Sequence, residues 1–420
     1  MNRMKRILCG GLVFTLLTGA LAGCEKKPAA DDMAYQMTGI PRDATMMTVN
    51  GQKVSTEEYL FWLNQSISMQ KQYGNLQDDA SWETETDGKT AAQYVKDDAL
   101  ETLKYYYVIA SKAKEYGVDA MSEEQSTDLN TQIDNIAQTM ESQNLTLQQY
   151  LNMQAISEQG FRDMMGRLNY APSNLRTKLS EEGGPLVPTD EEMDAFLSEE
   201  GLHQVKHILL TTRRETGETN EYGAPVYEDF SEAETAQVKE QADALVAEIR
   251  AAEDPAALFD EKMNELSDDG RDADGNLAAP DGYLVYEGAN MDPDFLAAAL
   301  ALDVGEISDP VKSQFGYHII LGVDADTDET RSYFPDYKMN QLVEEWVAAA
   351  DVKVENERFD AIDAKDFSTK LTSLQDEYIA QAQAQASASP SVDPSADPSA
   401  SAQPETSDTP AESPTPSAAS

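Results

Sequence analysis

Basic side chains are scarce in this sequence. Its 420 residues carry 31 Lys and Arg against 77 Asp and Glu, a formal net charge of −46 at neutral pH. Binding to nucleic acid depends on clustered cations that release counterions from phosphates, so a nucleic-acid partner is excluded. Cysteine is rarer still, with only Cys9 and Cys24, which leaves no disulfide framework to replace a core. No apolar run is comfortably long enough to cross a bilayer; the best candidate, 7–22, is short and interrupted by glycine. What the chain does have is core material. Apolar residues make up 40% of it, with 18 Tyr, 11 Phe and 3 Trp, which excludes wholesale disorder, collagen and a multispan membrane protein. The length suits two or three domains.

Both termini have a plain reading. Arg3, Lys5 and Arg6 precede the apolar run 7–22, the pattern of an export leader. The run ends Leu21-Ala22-Gly23-Cys24, which resembles a bacterial lipobox. That resemblance implies cleavage before Cys24, lipidation of its sulfur and a chain anchored on the outer face of the cell membrane; Cys9 leaves with the leader, 1–23. At the other end, 381–420 holds Ala, Ser, Pro, Gln and Thr with a few acids and 7 of the 18 prolines. It reads as a disordered, polyproline-biased tail, serving as an inert solubiliser, a spacer or a glycosylation site.

Between the ends the expected fold class is α+β. A linker spans 24–45, and a helical domain follows over 46–200. A hairpin turns at Asn50-Gly51, Ser55 with Glu58 forms a capping box, and helices are expected over 91–116, 122–142, 146–151 and 157–179. Thr189 with Glu192 caps a further short helix. Over 201–325 the pattern changes to a strand at 205–210, an acidic loop at 215–230, and helices opening at Ser231, Asp254-Pro255 and Asp292-Pro293, the last ended by Gly305. Strands at 306–311 and 317–321 close the unit. The stretch 326–380 is too small to stand alone and is expected to return onto the N-terminal helices, making 201–325 an insertion.

Three pieces of the insertion carry a resemblance: Val205-Lys-His207-Ile-Leu-Leu210, the run from Phe295 through Gly305-Glu-Ile-Ser-Asp-Pro-Val311, and Phe315-Gly-Tyr-His318. Together they resemble the parvulin class of peptidyl-prolyl cis/trans isomerases, and the whole chain resembles foldase lipoproteins related to SurA-like chaperones. The resemblance implies that His207 and His318 face each other beneath a cleft with Asp269 beside them as the catalytic group. It also implies that Met291 and Phe295 form the wall receiving the proline ring, with Tyr286 as a third member and Phe315 at the edge. The paired histidines are read either as an electrostatic device or as a structural pair joining two strands. The loop 270–282 departs from the glycine-rich stretch usual in relatives; only Asp281-Gly282 remains of it.

Other groupings are weaker. His203 and His207 are spaced like a helical metal pair but lie in a strand context without a third ligand. Asp272, Asp274 and Asn276 alternate like a calcium loop without its later glycine and glutamate. Tyr105, Tyr106 and Tyr107 and the methionines serve a core or an adaptable client surface. No metal or cofactor is expected. The function expected is an extracytoplasmic prolyl isomerase and chaperone for exported X-Pro polypeptides, with homodimerisation left open. The alternatives are a holdase whose insertion binds without turning over, and a structural or adhesive surface protein.

Overall fold

Helix starts are written into the chain as reciprocal caps. Ser55, Ser122, Thr189 and Ser231 each accept from a backbone N–H three residues on, and Glu58, Gln125, Glu192 and Glu234 return the bond to the cap backbone. Each cap satisfies donors that the first helical turn would otherwise leave open. The computed structural model describes residues 31–271 and 275–388. The expected leader, Cys24, Asp272, Asp274 and the tail beyond 388 lie outside the described residues.

The two ends of the chain build one helical body. Strands Thr45–Val49 and Gln52–Ser55 turn at Asn50 and Gly51, both at positive φ, the geometry that tight hairpins need. Val352–Val354 then adds to the outer side of the first strand, with Met47 opposite Val354. Helices Thr56–Gln72 and Ala91–Glu115 pack on this sheet through Tyr59, Leu60, Leu63, Val95, Leu103 and Val108. Phe359, Phe367 and Leu371 from the far end of the chain close the same core. The expected return is therefore present, as helices Asp328–Ala348, Asn356–Ala361 and Ala364–Ala388.

Several elements differ from expectation. The stretch read as a linker contains helix Met33–Thr38, because Met33 and Met37, one turn apart, both reach the main core. The helix expected over 157–179 is interrupted by a π turn, Gly166–Tyr170. The final helix runs to Ala388, past the 381 boundary, since the alternating Ala and Gln there are good helix formers and the first proline comes only at 390. The acidic loop is a hairpin, Arg213–Thr219 with Pro225–Asp229; its strands are almost wholly solvated, so no apolar alternation announced them. Of the 306–311 run only Ile307, as an isolated bridge, and Val311, in the strand Val311–Lys312, pair with the sheet. Helix Pro293–Leu300 stops before Gly305.

The inserted unit is a four-stranded antiparallel sheet. Its order is Tyr283–Val285, His203–Thr211, Gly316–Val323 and Val311–Lys312. Alternation along the second strand divides it. Ile208 faces helices Glu232–Arg250 and Pro255–Leu266 in one core, whereas Val205 faces helix Pro293–Leu300 in another. The chain enters and leaves through a packed pair, helix Asp190–Glu200 and the start of Asp328–Ala348, with Phe196, Phe334 and Tyr337 in mutual ring contact.

Candidate active site

His207 and His318 lie on neighbouring strands, His207 opposite Ile320 and His318 opposite Leu209. Diagonal partners on one sheet face come within reach of each other. The two rings stack at 27° with centroids 5.1 Å apart, and their Nδ1 atoms are 3.0 Å apart. Helix Pro293–Leu300 covers this face. Asp292 caps it by accepting from the N–H groups of Asp294 and Phe295, and Pro293 opens it. That start sets Phe295 edge-on to both imidazoles, 5.2 Å from His207 and 5.0 Å from His318.

The polar atoms form a single chain of bonds. A carboxylate only accepts, so His207 donates from Nε2 to Asp269 Oδ2 at 3.1 Å. The neutral ring then accepts at Nδ1 from the His318 Nδ1–H, and His318 Nε2 accepts from Ser313 Oγ at 2.7 Å. Ser313 Oγ in turn accepts the Phe315 N–H at 3.0 Å. This proton placement is assigned from the network, and it gives every bond one hydrogen. Tyr283 completes the cluster, donating to Asp269 Oδ2 at 2.7 Å with its ring 5.4 Å from His207.

The titrating groups follow from these contacts. Burial, reinforced by His207 alongside, lowers His318 to about 4, so the ring is neutral at physiological pH. Burial pushes Asp269 up, but hydrogen bonds from His207 and Tyr283 outweigh it and hold the carboxyl at about 2. Burial and the Asp269 charge together raise the Tyr283 phenol, which stays protonated as a donor. The unfolded His318 protonates near pH 6.5 and the folded one only near 4. Its contribution to stability is therefore complete above 6.5 and is lost as pH falls from 6.5 to 4, by up to about 1.4 kcal/mol per unit. His318→Asn is expected to flatten that part of a stability-against-pH curve measured by urea unfolding. A slope unchanged by the substitution would mean that His318 is not the group responsible.

The structure brings together most of the residues expected here. His207 is bonded to both His318 and Asp269, and Phe295 lies against the two imidazoles. Met291 packs half-buried on the same apolar cluster. Phe315 is joined to the pair through its backbone and Ser313, with its ring half-buried. Tyr286 lies half-buried just past the strand. Tyr283 and Ser313 were missed. Tyr283 shares a strand face with buried Val285 and could have been found by alternation, whereas nothing in the spacing singles out Ser313. Gly282 is fixed by geometry: at φ +90° an added Cβ would lie 2.2 Å from the Val205 carbonyl oxygen. In the departing loop, Arg271 donates to the carbonyls of Asn264, Ser267 and Gly275. Among the described residues no group of three or more His, Cys, Asp or Glu is placed to hold a metal ion.

Residues 207–324 match the family model Rotamase, PPIC-type PPIASE domain. The inserted unit is therefore a PPIC-type, parvulin domain, and the match supports peptidyl-prolyl isomerase activity. Over most of its length the chain is similar to Foldase protein PrsA of Clostridium botulinum strain Loch Maree, 26% identical over 384 residues, covering 84% of this chain and 97% of that one. It is similarly 26% identical over 328 residues to Foldase protein PrsA of Clostridium kluyveri, covering 74% of this chain and 87% of that one. Among solved structures, peptidylprolyl isomerase PrsA from Bacillus cereus aligns at 18% identity over 79% of this chain and 99% of that chain, with a TM-score of 0.27.

Proposed function

We propose that the chain isomerises X-Pro bonds in newly exported polypeptides at the His207–His318 site while its helical body holds them, tethered to the outer face of the cell membrane by a lipid on Cys24. The observation that carries the reading is the stacked His207–His318 pair, roofed by Phe295 and bonded to Asp269. Rotation about X-Pro meets a barrier of about 20 kcal/mol because amide resonance must break. The twisted amide has lost charge separation, so an apolar grip on the proline ring favours it over the planar ground state. Met291 and Phe295 supply that grip, with Tyr286 and Phe315 as flanking walls. His207, His318 and Asp269 orient the floor and set the polarity near the carbonyl, and no covalent step is required. For holding clients, the helical body offers two neighbouring open clefts of about 540 Å³ each that share Gln52 and Lys114. No helix among the described residues is long and apolar enough to cross a membrane.

The test is protease-coupled isomerisation of a short X-Pro peptide by the full processed chain, beside suppression of aggregation of an unfolded client. Wild type should accelerate the first and suppress the second. Met291→Ala should lower kcat/KM about tenfold through lost grip on the ring, a loss of roughly 1.4 kcal/mol of transition-state binding, and leave suppression intact. An inactive wild type that still suppresses aggregation would establish the holdase instead.

A further inference from the structure

The sequence beyond helix Ala364–Ala388 is rich in the bond that the His207–His318 site is read as taking. Residues 389–420 hold 7 of the 18 prolines, in X-Pro bonds from Ser389-Pro390 to Thr415-Pro416. They include 5 acids and no Lys, Arg or aromatic side chain, and Val392 is their one branched aliphatic. Apart from Val392, the proline rings are therefore the largest apolar groups this stretch can offer. In a chain with 77 acidic residues to 31 basic ones, like charge opposes its adhesion to most of the molecular surface. An apolar notch that grips proline is the exception.

The anchor and the notch both suit a tethered ligand. Helix Ala364–Ala388 is bound to the body where Gln375 Nε2 donates to the Met153 carbonyl at 2.9 Å and Asn152 Nδ2 donates to Tyr378 Oη at 3.1 Å. Ala382 is its last buried residue and 383–387 are exposed, so the helix end stands clear of the core. At the site, Tyr286, Met291 and Phe315 are only half-buried around a buried Phe295, which leaves the notch open to an incoming chain. A fully extended chain covers about 3.3 Å per residue, which carries Pro404 up to about 50 Å and Pro416 up to about 90 Å from Ala388. Compact units of the size of the inserted domain and the helical body have radii of gyration of only about 14 and 17 Å. Several of these X-Pro bonds are therefore within reach of the notch.

Resting on the reading of His207 and His318 as the isomerase site, we infer that 389–420 is an intramolecular substrate of that site, whose X-Pro bonds occupy the notch in turn and compete with client polypeptides. A ligand on such a tether acts at an effective concentration of about 1 mM. Against a KM of about 1 mM or below, it fills the notch at least half of the time. A client then enters only by displacing it, which sets a threshold against weakly bound chains.

The test measures KM and kcat for the peptide Ala-Ala-Pro-Phe with three proteins: the full processed chain, a chain ending at Ala388, and a full-length chain with all the prolines of 389–420 replaced by alanine. The truncated chain keeps every described helix and strand, and the alanine chain keeps the length and charge of the tail. Both variants should show a KM about twofold lower or more with kcat unchanged, because only a competitor has been removed. The difference should not depend on protein concentration, and it should widen as salt screens the repulsion between the tail and the acidic body. Equal KM values in all three proteins would overturn the assignment and leave the isomerase reading intact. So would relief by truncation that the alanine chain does not share, which would make the tail act through charge, or inhibition that grows with protein concentration, which would place it in a neighbouring molecule. No acceleration by the truncated chain would overturn the isomerase reading and take this one with it.

Discussion

Phe295→Ala should abolish most prolyl isomerase activity, lowering kcat/KM by about 100-fold or more, a loss of roughly 3 kcal/mol of transition-state binding. The ring is 6% exposed and packs on Val205, Val285, Ala299 and Ile320 while touching both imidazoles. Deleting it opens a cavity under the proposed proline site, and large-to-small changes of this kind cost about 3–5 kcal/mol of stability. Loss of folding and loss of the pocket wall must therefore be separated. Phe295→Leu retains most of the volume and should recover most of the stability but only part of the activity, because it lacks the flat edge against His207 and His318. Urea unfolding monitored beside peptide turnover reads both quantities. Full activity in a folded Phe295→Ala protein would place the proline ring elsewhere.

The second large effect lies in the helical body. Arg167, on the π turn, pairs with the buried carboxylate of Glu58 and lies over the Tyr107 ring at 4.9 Å. Tyr107 donates to the same carboxylate at 2.6 Å, and Ser55 donates to it as part of the cap. Burial lowers Arg167 to about 10, which still leaves it charged at neutral pH. Arg167→Met strands the Glu58 charge inside and should cost about 3–5 kcal/mol, the range for breaking one side of a buried pair. Adding Glu58→Gln should return much of that loss, since the penalty comes from the unpaired charge. Turnover of a short peptide should persist in Arg167→Met, because the Arg167 network belongs to a different core from the isomerase sheet. Equal loss in the single and double variants would show that packing over Tyr107, and not charge, is what Arg167 supplies.

Much of this architecture was legible because it rests on local chemistry. Ser55 with Glu58 and Thr189 with Glu192 specify helix starts whatever surrounds them, and Asn50-Gly51 specifies a tight turn. The pairing of His207 with His318 came from the family resemblance that their two runs carry, and local pattern alone marked those runs only as strands. The parts that escaped depend on contacts across the fold. Arg213–Thr219 carries no alternation, since both its faces meet solvent, and it is organised by the Asn220 turn and by arginines stacked on Tyr227, Phe315 and Phe230. Met33 and Met37 read as linker because their partners are spread across the fold, from helix Thr56–Gln72 to the far end of the chain, where Lys370 donates to the Met37 carbonyl. Ser313 carries no signature of its own; its role exists only once the sheet places His318 above it.

The paired helices at the entrance to the isomerase unit carry a consequence for how the molecule comes apart. With the strands departing and returning side by side at the Phe196, Phe334 and Tyr337 clasp, the catalytic unit hangs from the rest as a closed loop. Melting it enlarges that loop without parting its ends, and the entropic penalty of a loop grows only slowly with its length. The body can therefore keep its own fold, and on the proposed reading its client, while the inserted unit opens and refolds.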